Sequence, residues 1–450
     1  MNRLLYASAL LAVLCPAAPA TEWQDLKAQH QFVTVIGGAA LANGDNNPNE
    51  WNNAEGLPAT AAELSEPHSA MQDIYGRVFI ADKNANAIRR IDPNGTIHTV
   101  AGMNLNELPA GSTTNAGYNG DGPARQRLLS GPQHAYVMPD GTFYIVDTSN
   151  FRIRRVDTAG NMTTIITDPV GLARGLWVRR DGQLIYYCTG TFLKRWTPAQ
   201  GSGPGTVMVA GFLETGNIDV DAAGHILVSD RTLSGVYRIP PTSVVQPLND
   251  ALRVAGLGNS STTSNGPGSN GDHATSVGME GTRGVACHPL GGFFVATHKG
   301  GDIWYVDADG EARVFVEGDS NNTNVTGLQA VPTSDKVMSE PRSVSVALNG
   351  DVLIACNDAG VIRRVKNILP APAAPVVQQL TRLSPNGFRL GWTSETGQWY
   401  LVERAASPAE ALWQPLATLP SAGSLTQFTD PAAPGPRLYY RVRSFRGWPN

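Results

Sequence analysis

The sequence predicts an all-β chain, a six-bladed β-propeller followed by a small β-sandwich. Three observations carry this. A strand–turn–strand unit recurs six times; the composition favours short strands and turns; and an orphan strand ahead of the array matches one that is missing at its end. Charged residues make up only 16% of the 450, against 48 Gly and 31 Pro, which suits strands and frequent turns better than helices.

The repeat is clearest in residues 78–82 with 87–92, 143–147 with 152–157, and 352–356 with 361–365. Each is an apolar run, a short turn and a second run containing an Arg pair: Arg89-Arg90, Arg154-Arg155 or Arg363-Arg364. Weaker copies span 184–196, 226–239 and 293–306. The position closing the first run holds Asp82, Asp147, Cys188, Asp230, Thr297 and Cys356. A further strand follows five of the copies (99–102, 163–166, 207–211, 252–256, 313–318), and another precedes each, ending in turns such as Asp140-Gly141 or Asn349-Gly350. The spacing averages about 55 residues, the length of a four-stranded propeller blade with loop insertions. The last copy stops at Lys366-Asn367 without a fourth strand, and residues 33–37 match the missing one. The orphan is therefore expected to close the ring, since an open array would expose strand edges.

The repeat resembles that of the NHL-repeat propellers. The segments that carry the resemblance are Asn119-Gly120-Asp121-Gly122-Pro123-Ala124, 57–67, 82–92 and 99–102, and it extends over residues 32–367. It implies a fold and not a chemistry, because such propellers serve as lactonases, lyases, synthases, receptor ectodomains and binding scaffolds.

The flanking segments follow. Residues 1–20 read as a secretory signal peptide, with Arg3, an apolar run over 4–14 and an Ala18-Pro19-Ala20 cleavage site, so the mature chain should begin at Thr21 and be exported. The propeller then occupies 21–368 and a Pro/Ala-rich linker 369–377. Residues 378–450 alternate as strands and resemble a fibronectin type III sandwich, with Trp392 in its core. No transmembrane segment is expected. Cys188, Cys287 and Cys356 should be unpaired, buried small hydrophobes, with Cys188 and Cys356 on opposite sides of the ring.

Aligning the innermost strands on their closing turns brings three positions into register. The first holds His68, Gln133, Arg174, Gly216, Arg283 and Arg342; the second Ser69, His134, Gly175, Asn217, Gly284 and Ser343; the third is apolar throughout and reads as core. The first two form a polar ring at one mouth of the channel, beneath long loops at 39–66, 103–131, 257–281 and 319–340. The candidate ligand-binding residues are His68, Gln133, His134, Arg174, Asn217, Arg283 and Arg342. These positions carry cations and no carboxylate, which favours an anionic or hydrogen-bond-accepting ligand. Asp82, Asp147 and Asp230 recur with the repeat and read as turn formers.

A net charge of −4 with no basic run excludes nucleic acid or an anionic membrane held mainly by charge. A zinc lyase would need three channel ligands, and only His68 and His134 occupy ring positions. For a lactonase-type cation site, Asn217 and Asp219 supply two ligands with no partner Glu in the ring, and no nucleophile elbow is present. No metal or cofactor is expected. The expectation is a secreted binding or scaffold protein that holds a carbohydrate, peptide or protein ligand, an anionic one suiting the mouth. The alternative is a propeller enzyme of lyase or lactonase type.

Overall fold

In a computed structural model of the chain, each repeat forms one antiparallel sheet. The structure describes residues 23–38, 55–104, 107–108, 114–138, 140–241, 245–259, 270–288, 291–318, 330–336, 338, 340–357, 359–367, 374–384, 387–395, 398–409, 413–431 and 438–446. The signal-peptide segment and its cleavage site lie outside the described residues. So do 39–54, 105–106, 109–113, 260–269, 319–329, 337 and 339 of the long loops, residue 368, and 369–373 of the linker.

The innermost strands of the six blades are Pro67–Gln72, Pro132–Val137, Leu176–Val178, Thr215–Val220, Thr282–Cys287 and Pro341–Val346. They neighbour one another in that order and the last returns to the first, closing a ring around a central channel. Each pairs outward with the apolar run of its repeat: Val78–Asp82, Phe143–Asp147, Ile185–Cys188, Ile226–Asp230, Phe293–Thr297 and Val352–Cys356. These second strands are buried along their whole length, which is why they read as continuous apolar runs. The outer strand of the first blade, Ile97–Ala101, alternates between buried and half-buried positions because only one of its faces is covered.

The core lies between blades. Phe294, Ala296, Ile303 and Phe315 of the fifth pack on Val344, Ile354 and Val361 of the sixth. The third register position is core as expected, with Ala70, Ala135, Leu176, Ile218, Val285 and Val344 all buried. The orphan strand, Phe32–Gly37, pairs with Val361–Val365 and completes the sixth blade. It buries Val33 and Val35 in the seam between the fifth and sixth blades.

A short helix, Trp23–Gln29, precedes the orphan strand and buries Leu26 in the same seam. Lys27 Nζ donates to the Phe315 carbonyl at 2.7 Å, and His30 bridges the Leu26 and Gly350 carbonyls, each at 2.9 Å. No helix among the described residues is long and apolar enough to cross a membrane.

The recurring aspartates brace loops. Asp82 accepts from Ser65 N at 2.6 Å, Asp147 from Ser130 N at 2.8 Å, and Asp230 from Leu213 N and Glu214 N at 2.8 and 3.1 Å. Each thereby ties down the segment that enters an innermost strand. Cys188, Cys287 and Cys356 are free and buried, and burial pushes the Cys188 thiol up to about 12.

The C-terminal region forms two three-stranded sheets. One contains Val377–Ser384, Gly387–Thr393 and Leu425–Asp430; the other Gln414–Pro420, Gln398–Ala405 and Tyr439–Arg446. Leu390, Trp392, Tyr400 and Val402 fill the space between them. This sandwich contacts turns that follow innermost strands, at the end of the propeller opposite the ring residues. Tyr75 Oη donates to the Trp413 carbonyl at 3.1 Å, Arg443 Nη1 to the Ile74 carbonyl at 3.1 Å, and Arg180 lies over the Trp399 ring at 4.8 Å.

Candidate functional site

The first register position is a β-bulge. In the first blade Pro67 pairs with Asp82 and Ser69 with Ala81, which leaves His68 as the extra residue. The same shift isolates Gln133, Arg283 and Arg342. In the third blade Ala173 and Gly175 both bond to Cys188, so Arg174 is looped out in the same way. In the fourth, the shift falls over Gly216 and Asn217. An extra residue bends its strand and re-aims its side chain. Repeated around the ring, this bend sets His68, Gln133, Arg174, Arg283 and Arg342 at the channel mouth, with Gly216 at the fourth blade's position.

The structure brings His68, Arg174, Arg283 and Arg342 together at that mouth. His68 is buried, and its Nδ1–H donates to the Glu66 carbonyl at 2.9 Å, which leaves Nε2 as an acceptor. Burial, then the positive charges of Arg174 and Arg342, hold His68 well below its usual range, so it is neutral at pH 7. Arg174 is also buried; desolvation first, and Arg342 beside it, lower it to about 9 and leave it charged. Gln133 sits half-buried on its own bulge.

His134 and Asn217, at the second position, lie one step deeper and line a chamber inside the channel. His134 Nδ1–H donates to the Arg174 carbonyl at 3.2 Å, and burial lowers this histidine to about 4.

The expectation of a mouth without carboxylates is corrected. Glu66, Glu214 and Glu340 stand two residues before the bulged position in the first, fourth and sixth blades. They lie just outside the innermost strands, in the segments that lead into them. Glu66 pairs with Lys83 at 2.6 Å. Glu214 pairs with Arg231 at 2.8 Å and approaches Arg283 at 3.6 Å. Glu340 lies 2.8 Å from His298 and 3.8 Å from Arg342. Lys83, Arg231 and His298 each follow the residue that closes a second strand, so they form an outer tier on the same face. The sequence signal was present in Glu66-Pro67-His68 and Glu340-Pro341-Arg342.

Two of these glutamates occupy a costly backbone conformation. Glu66 and Glu340 have φ of 58° and 43°, and the equivalent residues in the second and fifth blades are Gly131 and Gly281, with φ of 58° and 66°. A side chain in this region costs on the order of 1–2 kcal/mol that glycine avoids. Carboxylates are thus retained at positions where the fold itself favours glycine.

On this face Arg174, Arg231, Arg283, Arg342, Lys83 and Lys299 stand, among the described residues, with four carboxylates, Glu66, Glu214, Glu280 and Glu340. Among the described residues, Arg174 Nε and Arg283 Nε and Nη1 are buried without a hydrogen-bond partner, as is Asn217 Oδ1. Buried donors left unpaired are rare and costly. No group of three or more His, Cys, Asp or Glu among the described residues is arranged to hold a metal ion.

No protein-family model matches the chain. Teneurin-3 of Mus musculus is 38% identical over 77 residues, 17% of this chain and 3% of that protein. Teneurin-3 of Danio rerio is 33% identical over 85 residues, 18% and 3% respectively. The chain therefore spans about 3% of the length of these curated relatives. Among solved structures it is similar to an auxiliary nutrient binding protein from Bacteroides thetaiotaomicron VPI-5482, with a TM-score of 0.54 at 13% identity over 74% of this chain and 76% of that one. An auxiliary nutrient binding protein from Bacteroides ovatus ATCC 8483 gives 0.53 at 15% identity over 75% and 76%. At such identities the likeness is one of fold. Fold and site together define a six-bladed β-propeller with a charged channel mouth.

Proposed function

We propose that this protein binds a small anionic ligand, a carboxylate or phosphate, at the mouth formed by His68, Gln133, Arg174, Arg283 and Arg342, with His134 and Asn217 beneath. The observation that carries the reading is the set of buried guanidinium donors on Arg174 and Arg283 that have no partner among the described residues. A planar guanidinium matches the two oxygens of a carboxylate or phosphate, and a charge-assisted hydrogen bond in a desolvated site is a strong one. The donors stand on bulges of the innermost strands and not on the long loops. That favours the end of a small acid, a sugar acid included, over an extended peptide or a protein surface. The solved neighbours described as nutrient binding proteins support a binding role on this fold.

The same reading makes the chain an exported protein of NHL-like repeats with a fibronectin type III-like module at residues 378–450. The grouping of the first, second and fifth sandwich strands in one sheet, and of the third, fourth and sixth in the other, supports that assignment.

The test is to make Arg174→Ala, Arg283→Ala and Arg342→Ala singly and titrate acetate, galacturonate and phosphate by calorimetry at low and high salt. Each variant should lose about 1–3 kcal/mol of affinity with its melting temperature unchanged. Binding to the wild type should weaken with salt, because the mouth is partly open to solvent. A lowered melting temperature in all three variants, with no anion bound by the wild type, would make the arginines structural and end the proposal.

A further inference from the structure

Below the bulged residues the channel changes character. One strand position down, about 3.3 Å along the axis, His134 and Asn217 form a polar collar. The chamber beneath is walled largely by apolar side chains, among them Tyr136, Trp177, Ile218, Val285, Val344 and Leu348. Its volume is ≈ 90 Å³. An apolar cavity of about 150 Å³ accepts benzene, roughly 25 Å³ per carbon. On that scale this chamber is too small for a six-membered aromatic ring and fits about three or four aliphatic carbons.

Two polar side chains also stand in the chamber wall. Asn217 Oδ1 borders the chamber, buried and without a hydrogen-bond partner among the described residues. Asp219, deeper in the wall, is already committed, accepting from Val220 N at 2.8 Å and Cys287 N at 2.7 Å. Cations at the mouth draw an anionic group to the top, while Asp219, partly offset by Arg180 near Tyr136, disfavours a second at depth.

Resting on the mouth as an anion site, we propose that the channel is built for an unbranched aliphatic monocarboxylate of about four or five carbons, its carboxylate among Arg174, Arg283 and Arg342 and its tail in the chamber. Each methylene that enters an apolar cavity strengthens binding about threefold to fourfold.

The experiment is a calorimetric titration of the whole chain with acetate, propionate, butyrate, valerate, hexanoate and octanoate. Affinity should climb by about that factor per methylene from acetate to valerate and then level off. Val285→Phe fills the chamber and should flatten the series while leaving acetate unchanged. Leu348→Ala enlarges the chamber and should move the plateau two or three carbons further along; it decides the matter where Val285→Phe does not fold. Equal affinity across the series would overturn the chamber and leave the mouth standing. So would binding of phosphate without any monocarboxylate. A climb that continues through octanoate and ignores both variants marks adsorption to the surface and also overturns the proposal. Failure of every anion to bind removes the mouth and the chamber together.

Discussion

Deleting residues 23–38 should unseat the whole propeller, because this segment supplies the fourth strand of the sixth blade. The deletion takes Leu26, Val33 and Val35 out of the seam between the last two blades, all three now buried. At about 2 kcal/mol for each such side chain, that is roughly 6 kcal/mol before any ladder hydrogen bond is counted. The bonds lost run from Phe32–Gly37 to Val361–Val365 on one side and to Val331–Pro332 on the other. A domain's net stability is typically about 5–15 kcal/mol, so this loss consumes most of it. For a domain of this size about 3 °C of melting temperature accompanies each kcal/mol, so a fall of at least about 10 °C is expected. The bared edge of Val361–Val365 should also recruit other chains. Thermal melts followed by circular dichroism, together with size-exclusion chromatography, measure both effects. A monomer that melts within about 2 °C of the intact chain would refute closure by this strand.

The two strained glutamates and the buried histidine can be tested in the same way. Glu66→Gly and Glu340→Gly relieve about 1 kcal/mol of backbone strain and give up partly exposed ion pairs worth up to about 1 kcal/mol. Melting temperatures should therefore hold or rise while anion binding at low salt tightens; a drop of more than about 5 °C would show that the carboxylates serve the fold. His134 is about 4 in the folded chain against 6.5 unfolded. The unfolded chain thus takes up the proton first as pH falls, and the stability tied to neutral His134 is complete above about 6.5 and lost on the way down to about 4. Between pH 7 and pH 5 the stability difference between wild type and His134→Gln should shift by about 2 kcal/mol against the wild type. Urea denaturation of both proteins at the two pH values measures it, and comparing the pair cancels the buried aspartates. An unchanged difference would mean that His134 is solvated.

Most of the fold was legible because the repeat is a physical unit. Burial on both faces makes each second strand apolar throughout, and the turn after each innermost strand needs a residue such as Gly141, Gly182, Gly224 or Gly350 at positive φ. These constraints recur in every blade and can be read from one chain. The helix at Trp23–Gln29 could not be read. Seven residues are too few to show a helical period or to be stable alone, and this helix persists through contacts with Phe315, Thr333 and Gly350, about 290–320 residues away. The site was half legible. Register located the four residues that meet at the mouth. It did not reveal the bulge that turns them inward, because a bulge is a property of two paired strands. It also hid Glu66, Glu214 and Glu340, which lie two residues outside the aligned column.

The three glutamates change the electrostatics of the mouth. Three arginines facing no counter-charge could be explained as strand caps that bond to carbonyls. With the glutamates present, charge pairing was available to all of them, yet it is unevenly used. Lys83 and Arg231 each hold a carboxylate at 2.6–2.8 Å, whereas Arg283 and Arg342 stand 3.6 and 3.8 Å from theirs. The closer pairs belong to the outer tier. The longer ones belong to bulged residues, and Arg283 is the buried one of the two, where poor pairing is expensive. A network selected for stability alone would show the reverse order. The outer tier instead engages Glu66 and Glu214, while Arg174 and Arg283 keep buried donors for something that enters the channel.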